Sequence, residues 1–133
     1  MTTTINASPS NGIVSTADGS GVMKLQSNGV TTNALAWVNF NGTGTVAIRS
    51  SYNVSSITDN GTGDYTVNFT TALSDANYAV TGLCGYNTGV TEATFVTLNT
   101  TVVPTTTSYR IKTRDASTTA FDSTYVLSSV FGN

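Results

Sequence analysis

Apolar positions along this chain recur in steps of two, and each short run of them is closed by Asn, Gly, Asp or Ser. A step of two places alternate side chains on opposite faces of an extended strand, whereas a helix needs a step near 3.6 that no useful window here shows. The clearest run is Tyr65-Thr66-Val67-Asn68-Phe69: Tyr65, Val67 and Phe69 share one face, and Thr66, Asn68 and Thr70 share the other. Val54 to Thr58 precedes it across Asp59-Asn60-Gly61-Thr62-Gly63-Asp64, so the spacing predicts a hairpin. Ala34 to Phe40 and Thr45 to Arg49 flank Asn41-Gly42-Thr43-Gly44 in the same way. Asn77 to Tyr86 and Ala93 to Val103 predict two longer strands around Asn87-Thr88-Gly89, the second stopped by Pro104, which has no amide hydrogen for a ladder. Ser108 to Thr113 and Thr124 to Phe131 complete the set, linked by a polar loop from Asp115 to Asp122. The pattern predicts an all-β fold, an antiparallel β-sandwich or jelly roll of about eight strands.

Residues 1–33 read differently from residues 34–133. A small hairpin is expected around Ala17-Asp18-Gly19-Ser20-Gly21, followed by a polar spacer from Ser27 to Asn33. This segment is read as an N-terminal arm and the remainder as the sandwich domain. Two strands of that domain break the alternation: Leu35-Ala36-Trp37-Val38-Asn39-Phe40 and Tyr125-Val126-Leu127-Ser128-Ser129-Val130-Phe131 carry apolar groups on both faces. Both faces of such strands are expected to be covered, either by loops of the same chain or by another subunit. Trp37, Phe40, Tyr125, Leu127 and Phe131 are the candidate subunit contacts.

The charge balance narrows the function classes. Five Lys and Arg stand against seven Asp and Glu, with no His, for a net charge of -2. Nucleic acid is therefore not an expected partner, since neutralising phosphates takes a cluster of basic groups. Without histidine, the Ser-His-Asp and Cys-His nucleophiles and the His-containing zinc sites are excluded. Carboxylate catalysis stays formally open, but Asp59, Asp64, Asp75, Glu92, Asp115 and Asp122 all fall in or near predicted loops, and an enzyme is not expected. With 9% charged residues, the polar surface must be built from Thr, Ser and Asn. The single Cys84 has no intrachain partner and reads as a small buried hydrophobe, which suits assembly in a reducing cytoplasm. Neither a signal peptide nor a long apolar span is visible, so no membrane insertion is expected.

Three groups of residues are candidates for binding. Asn60 and Asp64 belong to a loop whose oxygens suit a hard cation, although Asn-Gly also supplies the positive φ of an ordinary hairpin turn and no metal or cofactor is expected. Tyr86 and Asn87, at a predicted loop tip, pair a stacking ring with an amide, as sugar recognition requires. Arg110, Lys112 and Arg114 alternate along one strand face; such a row meets phosphate or acidic sugar, or else guards an edge strand against aggregation or pairs with Asp115 or Asp122. The N-x-Ser/Thr triplets starting at Asn6, Asn41, Asn53, Asn60, Asn68 and Asn99 are what this composition gives by chance and carry no glycosylation reading.

From Ala36 to Phe69, through AWVNFNGTGT and NVSSITDNGTGDYTVNF, the chain resembles a module of tailed-phage tail-fibre and tail-tip structural proteins. The segment from Thr4 to Gln26 resembles connectors that precede that module. The resemblance implies a virion component assembled in the host cytoplasm. It implies a homotrimer docked to other virion proteins through residues 1–33, with the β-rich remainder projecting outward. The function expected on that basis is a tail fibre or receptor-binding protein attaching to host surface polysaccharide. A module standing almost alone also suits a capsid decoration or head-fibre protein that stabilises the particle. A free-standing carbohydrate-binding domain, unrelated to virions, would be monomeric.

Overall fold

The computed structural model describes residues 25–27, 30–85 and 93–132. Two short strands, β1 (Gln26–Ser27) and β2 (Val30–Thr31), pair with each other where the polar spacer begins. Eight longer strands follow: β3 (Ala36–Asn41), β4 (Ala47–Tyr52), β5 (Val54–Asp59), β6 (Asp64–Phe69), β7 (Ala79–Gly85), β8 (Thr94–Leu98), β9 (Ser108–Asp115) and β10 (Tyr125–Phe131). They form two antiparallel four-stranded sheets, ordered β4-β3-β10-β7 and β5-β6-β9-β8. The fold is thus the all-β sandwich that the alternation predicted. The hairpin across Asp59 to Asp64 forms with Tyr65, Val67 and Phe69 inward.

Several boundaries differ from expectation. The strand expected to run to Val103 stops at Leu98, because the Asn99 side chain accepts the amides of Thr101 at 2.9 Å and Val102 at 3.2 Å and turns the chain there. The strand of cations, β9, is flanked by β6 and β8, so the edge-strand explanation of Arg110, Lys112 and Arg114 is overturned. The hairpin expected around Asp18 lies outside the described residues.

The core fills the space between the two sheets. Ala36, Val38 and Phe40 of β3 and Val126 and Val130 of β10 meet Tyr65, Val67 and Phe69 of β6 and Tyr109 and Ile111 of β9. Phe40, fully buried, meets Tyr65 edge-on at 5.1 Å between ring centres. It is therefore a core residue and not the subunit contact expected of it. Alternation explains this: Phe40 shares the parity of Ala36 and Val38, opposite to that of Trp37.

Buried tyrosines bring polar hydroxyls into this core, and each is satisfied across the sandwich. Tyr109 donates to Ser128 Oγ on the opposite sheet at 3.0 Å. The Tyr65 hydroxyl lies 2.8 Å from Asp122 Oδ1 and 3.0 Å from the Gly42 carbonyl oxygen. The Gly63 amide also donates to Asp122 Oδ1, at 2.7 Å, and the Gly42 amide donates to the Ser123 carbonyl at 2.9 Å. Both Asn-Gly-Thr-Gly turns are therefore fastened to the same stretch, Phe121 to Ser123. Gly63 is required twice over, by a φ of 61° and because a Cβ there would lie 2.7 Å from the Thr113 carbonyl oxygen.

At the opposite end the chain enters and leaves the sandwich side by side, with the Leu35 amide donating to the Val130 carbonyl at 2.8 Å. Asn53, at a φ of 54°, turns β4 into β5 there; its side chain holds Thr71 by accepting its amide at 2.8 Å and Leu35 by donating to its carbonyl at 3.2 Å.

The two core tyrosines differ in what removal of the hydroxyl leaves behind. Tyr65→Phe strips a donor from a carboxylate, whereas after Tyr109→Phe the Ser128 hydroxyl still donates to Thr81. Urea denaturation should show Tyr65→Phe losing about 1.5–3 kcal/mol and Tyr109→Phe about 1 kcal/mol. Equal losses would mean that Asp122 does not depend on Tyr65.

Candidate functional site

The two outward faces of the sandwich differ in chemistry. On the β5-β6-β9-β8 sheet the outward positions of β9 are Ser108, Arg110, Lys112 and Arg114, since Tyr109, Ile111 and Thr113 are buried. The register sets Thr66 beside Arg110, Asp64 and Thr97 on either side of Lys112, and Phe95 beside Arg114. Among the described residues Asp64 is the carboxylate aligned with this row, and it is engaged. Its oxygens take the Arg110 fork, from Nε at 2.6 Å and Nη2 at 3.1 Å, while Lys112 Nζ approaches to 3.2 Å. Burial works to raise the Asp64 pKa, but the hydrogen bonds and charges of Arg110 and Lys112 outweigh it, and the carboxyl is held below its ordinary range. The same contact with Asp64 strengthens the hold of Arg110 on its proton. Arg114 donates through Nη1 to the Thr118 carbonyl.

Neutral hydrogen-bonding groups continue the face toward β5. The Asn68 amide donates to Ser56 Oγ at 3.1 Å and Thr58 Oγ1 at 3.0 Å, and the Asn60 amide donates to Thr66 Oγ1 at 2.9 Å. Asn60, Asp64, Arg110, Lys112 and Arg114 are thus brought to one sheet and its adjoining turn, in an array of cations, hydroxyls and amides. Arg110 and Lys112 pair with Asp64 and not with Asp115 or Asp122, the partners proposed from sequence. Tyr86 and Asn87 lie outside the described residues.

The loop read as a possible cation site spends its carboxylates separately. Asp64 turns to the cations of β9, while Asp59 Oδ1 accepts the Gly61 amide at 2.9 Å. Among the described residues no group of three or more His, Cys, Asp or Glu side chains converges. Asp75 and Asp115 accept the amides of Asn77 at 2.6 Å and Thr119 at 2.9 Å, the turn roles expected of such residues. Cys84 is half-buried against the core, and burial pushes its thiol pKa up.

The outward face of the β4-β3-β10-β7 sheet carries large apolar side chains among Asn39, Ser50, Thr81 and Ser129. Trp37, Tyr125, Leu127 and Phe131 stand on it between 38% and 42% exposed, and Leu83, missed from sequence, is 70% exposed and directly opposite Leu127. The signal for Leu83 was available: its neighbours Gly82 and Cys84 are small, and a Cβ on Gly82 would lie 2.7 Å from the Leu127 carbonyl oxygen, so the larger side chain takes the other face. Among the described residues no segment covers these side chains. One cation reaches this face. A bulge leaves Arg49 unpaired between Ile48 and Ser50, and its guanidinium lies 4.3 Å from the centre of the Tyr125 ring.

Comparisons of the chain with family models, with curated proteins and with solved structures found no match.

The Asp64 cluster makes stability depend on acid. A carboxyl whose pKa is lowered on folding contributes stability above its ordinary value of 3.8, and that contribution is lost as pH falls through the lower folded value. Asp64→Asn should lower the melting temperature at pH 7 and leave a shallower fall of melting temperature with acid than the parent shows. Parallel acid profiles for the two proteins would mean that the ion pairs carry no folding energy.

Proposed function

We propose that this chain is a structural protein of a phage virion, a tail-fibre or receptor-binding subunit that attaches the particle to host surface glycan. The observation that carries the proposal is the division of the sandwich into an outer face that carries large apolar side chains and a polar, hydroxyl-rich one. Trp37, Leu83, Tyr125, Leu127 and Phe131 make a row too apolar for a solvated sheet face, and a second copy of the chain is the occupant that would remove it from water. The other face offers many hydrogen-bonding groups, as sugar recognition requires. The resemblance of Ala36 to Phe69 to phage tail modules supports the same reading and the trimeric state that goes with it.

Fluorescently labelled protein should bind cells of a susceptible bacterium and lose that binding once the surface polysaccharide is stripped. Absence of binding to a susceptible host overturns the attachment reading. Immunogold labelling of virions should mark the tail; gold on the head would instead favour a capsid decoration or head-fibre protein.

Assembly is tested at the apolar face. Size-exclusion chromatography with light scattering should return a trimer mass for the full chain, and Leu83→Asp with Leu127→Asp should convert it to a folded monomer. Leu83 and Leu127 already lie in part in water, so the variant keeps its β-sheet circular dichroism. A parent protein that is monomeric, or a variant that stays trimeric, overturns this face as the subunit contact.

A further inference from the structure

We infer that the outward face of β6, β9 and β8 is the glycan-contact surface, and that the glycan it takes is an acidic polysaccharide lying along the Arg110–Lys112–Arg114 row. The inference rests on the attachment reading above and narrows it to a site and a ligand class. Three of the five basic groups of the chain stand at alternate positions of one strand, about 7 Å apart from one to the next. In an edge strand such a row would serve against aggregation, but β9 has a paired neighbour on each side and needs no such protection. Among the described residues Asp64 is the carboxylate paired with the row, one against three cations, on a chain whose net charge is -2.

The details suit an anionic polymer of sugar rings. Asp64 holds Nε and Nη2 of Arg110, which fixes the guanidinium and leaves Nη1 outside that pair. Lys112 spends one contact on Asp64 and has three donors. Thr66, Thr97 and Ser108 put hydroxyls among the cations, and the half-buried Phe95 beside Arg114 adds an aromatic side chain of the kind sugars pack against. The anionic substituents of the polymer would answer the cations, and its hydroxyls would answer the threonines. Nucleic acid fits less well, since three cations on an acidic chain neutralise few phosphates.

The test uses the full-length protein and surface polysaccharide extracted from a susceptible bacterium, immobilised for biolayer interferometry. One portion is left intact, one has its carboxylates reduced to alcohols, and one is dephosphorylated with hydrofluoric acid. Binding should fall by roughly tenfold or more in whichever arm removes the acid, which names it as carboxylate or phosphate. Lys112→Gln with Arg114→Gln should weaken binding to intact polysaccharide and to whole cells by a similar factor while the variant keeps the β-sheet circular dichroism of the parent at the assay temperature, and Lys112→Arg should retain binding. Rising salt should weaken the parent and not the double variant, because exposed charges are screened. If the parent binds cells and neither chemical treatment nor the double variant matters, the cationic face is not the site, while glycan attachment stands. If the parent binds neither cells nor polysaccharide, both readings fall. Binding of single-stranded DNA as tight as that of the polysaccharide overturns the glycan specificity of the face.

Discussion

One carboxylate holds the far end of this sandwich together. Asp122 sits in the connection that carries the chain from β9 in one sheet to β10 in the other, and a single oxygen of it receives the Gly63 amide and faces the Tyr65 hydroxyl. Ser123 next to it receives the Gly42 amide, and Phe121 is bound to Thr113. Three loops from distant parts of the sequence are thus fixed to one another by groups that would otherwise be buried without partners, at a cost of about 1–3 kcal/mol each. The constraint reaches both outer surfaces, because β9 and β10 are the strands on either side of it. The phase in which β10 begins decides that Tyr125 and Leu127 face outward, and the phase of β9 decides the same for Arg110 and Lys112.

The apolar and cationic faces follow from the period of two and from the side each sheet presents to the core. Once Val126, Ser128 and Val130 turn inward, every odd-numbered residue of β10 must turn out, whatever its polarity. Tyr125, Leu127 and Phe131 therefore stand on the outer face beside Ser129. The neighbouring sheet obeys the same rule with threonine, asparagine and arginine. Two sheets built by one geometric rule from one chain thus differ in what their outer surfaces reject: water in one case, uncompensated positive charge in the other.

Much of this was legible in the alternation. The strand set, the hairpin at Asn60, the common face of Arg110, Lys112 and Arg114, and the outward aromatic positions all follow from side chains taken two at a time. Phe40 was misplaced because its large ring was grouped with Trp37, although Asn39 marks the odd-numbered phase as the polar one; the burial of Ala36 and Val38 makes the even-numbered phase the inward one. The position of β9 in its sheet was hidden for a different reason. Its partners come from β6 and β8, and strand order is a property of long-range pairing that a local pattern does not encode. The Asp64 contacts were missed likewise, since Asp64 meets Arg110 across 46 residues of chain. The turn that cuts β8 short at Asn99 was overlooked because Pro104 offered a stronger stop signal further on.

The meeting of Leu35 and Val130 at one end has a mechanical consequence. Strands β3 and β10 are antiparallel neighbours, so tension applied between residue 35 and residue 131 pulls their adjoining ends apart and loads the rungs of the ladder one at a time. A domain strung in series through both of these points opens like a zip, from Ala36 and Val130 inward. Tension that enters at residue 35 and leaves through the outer face of β9 takes another path. It crosses the core and the Tyr109–Ser128 bridge, where many contacts share the load at once, and there the sandwich is strong.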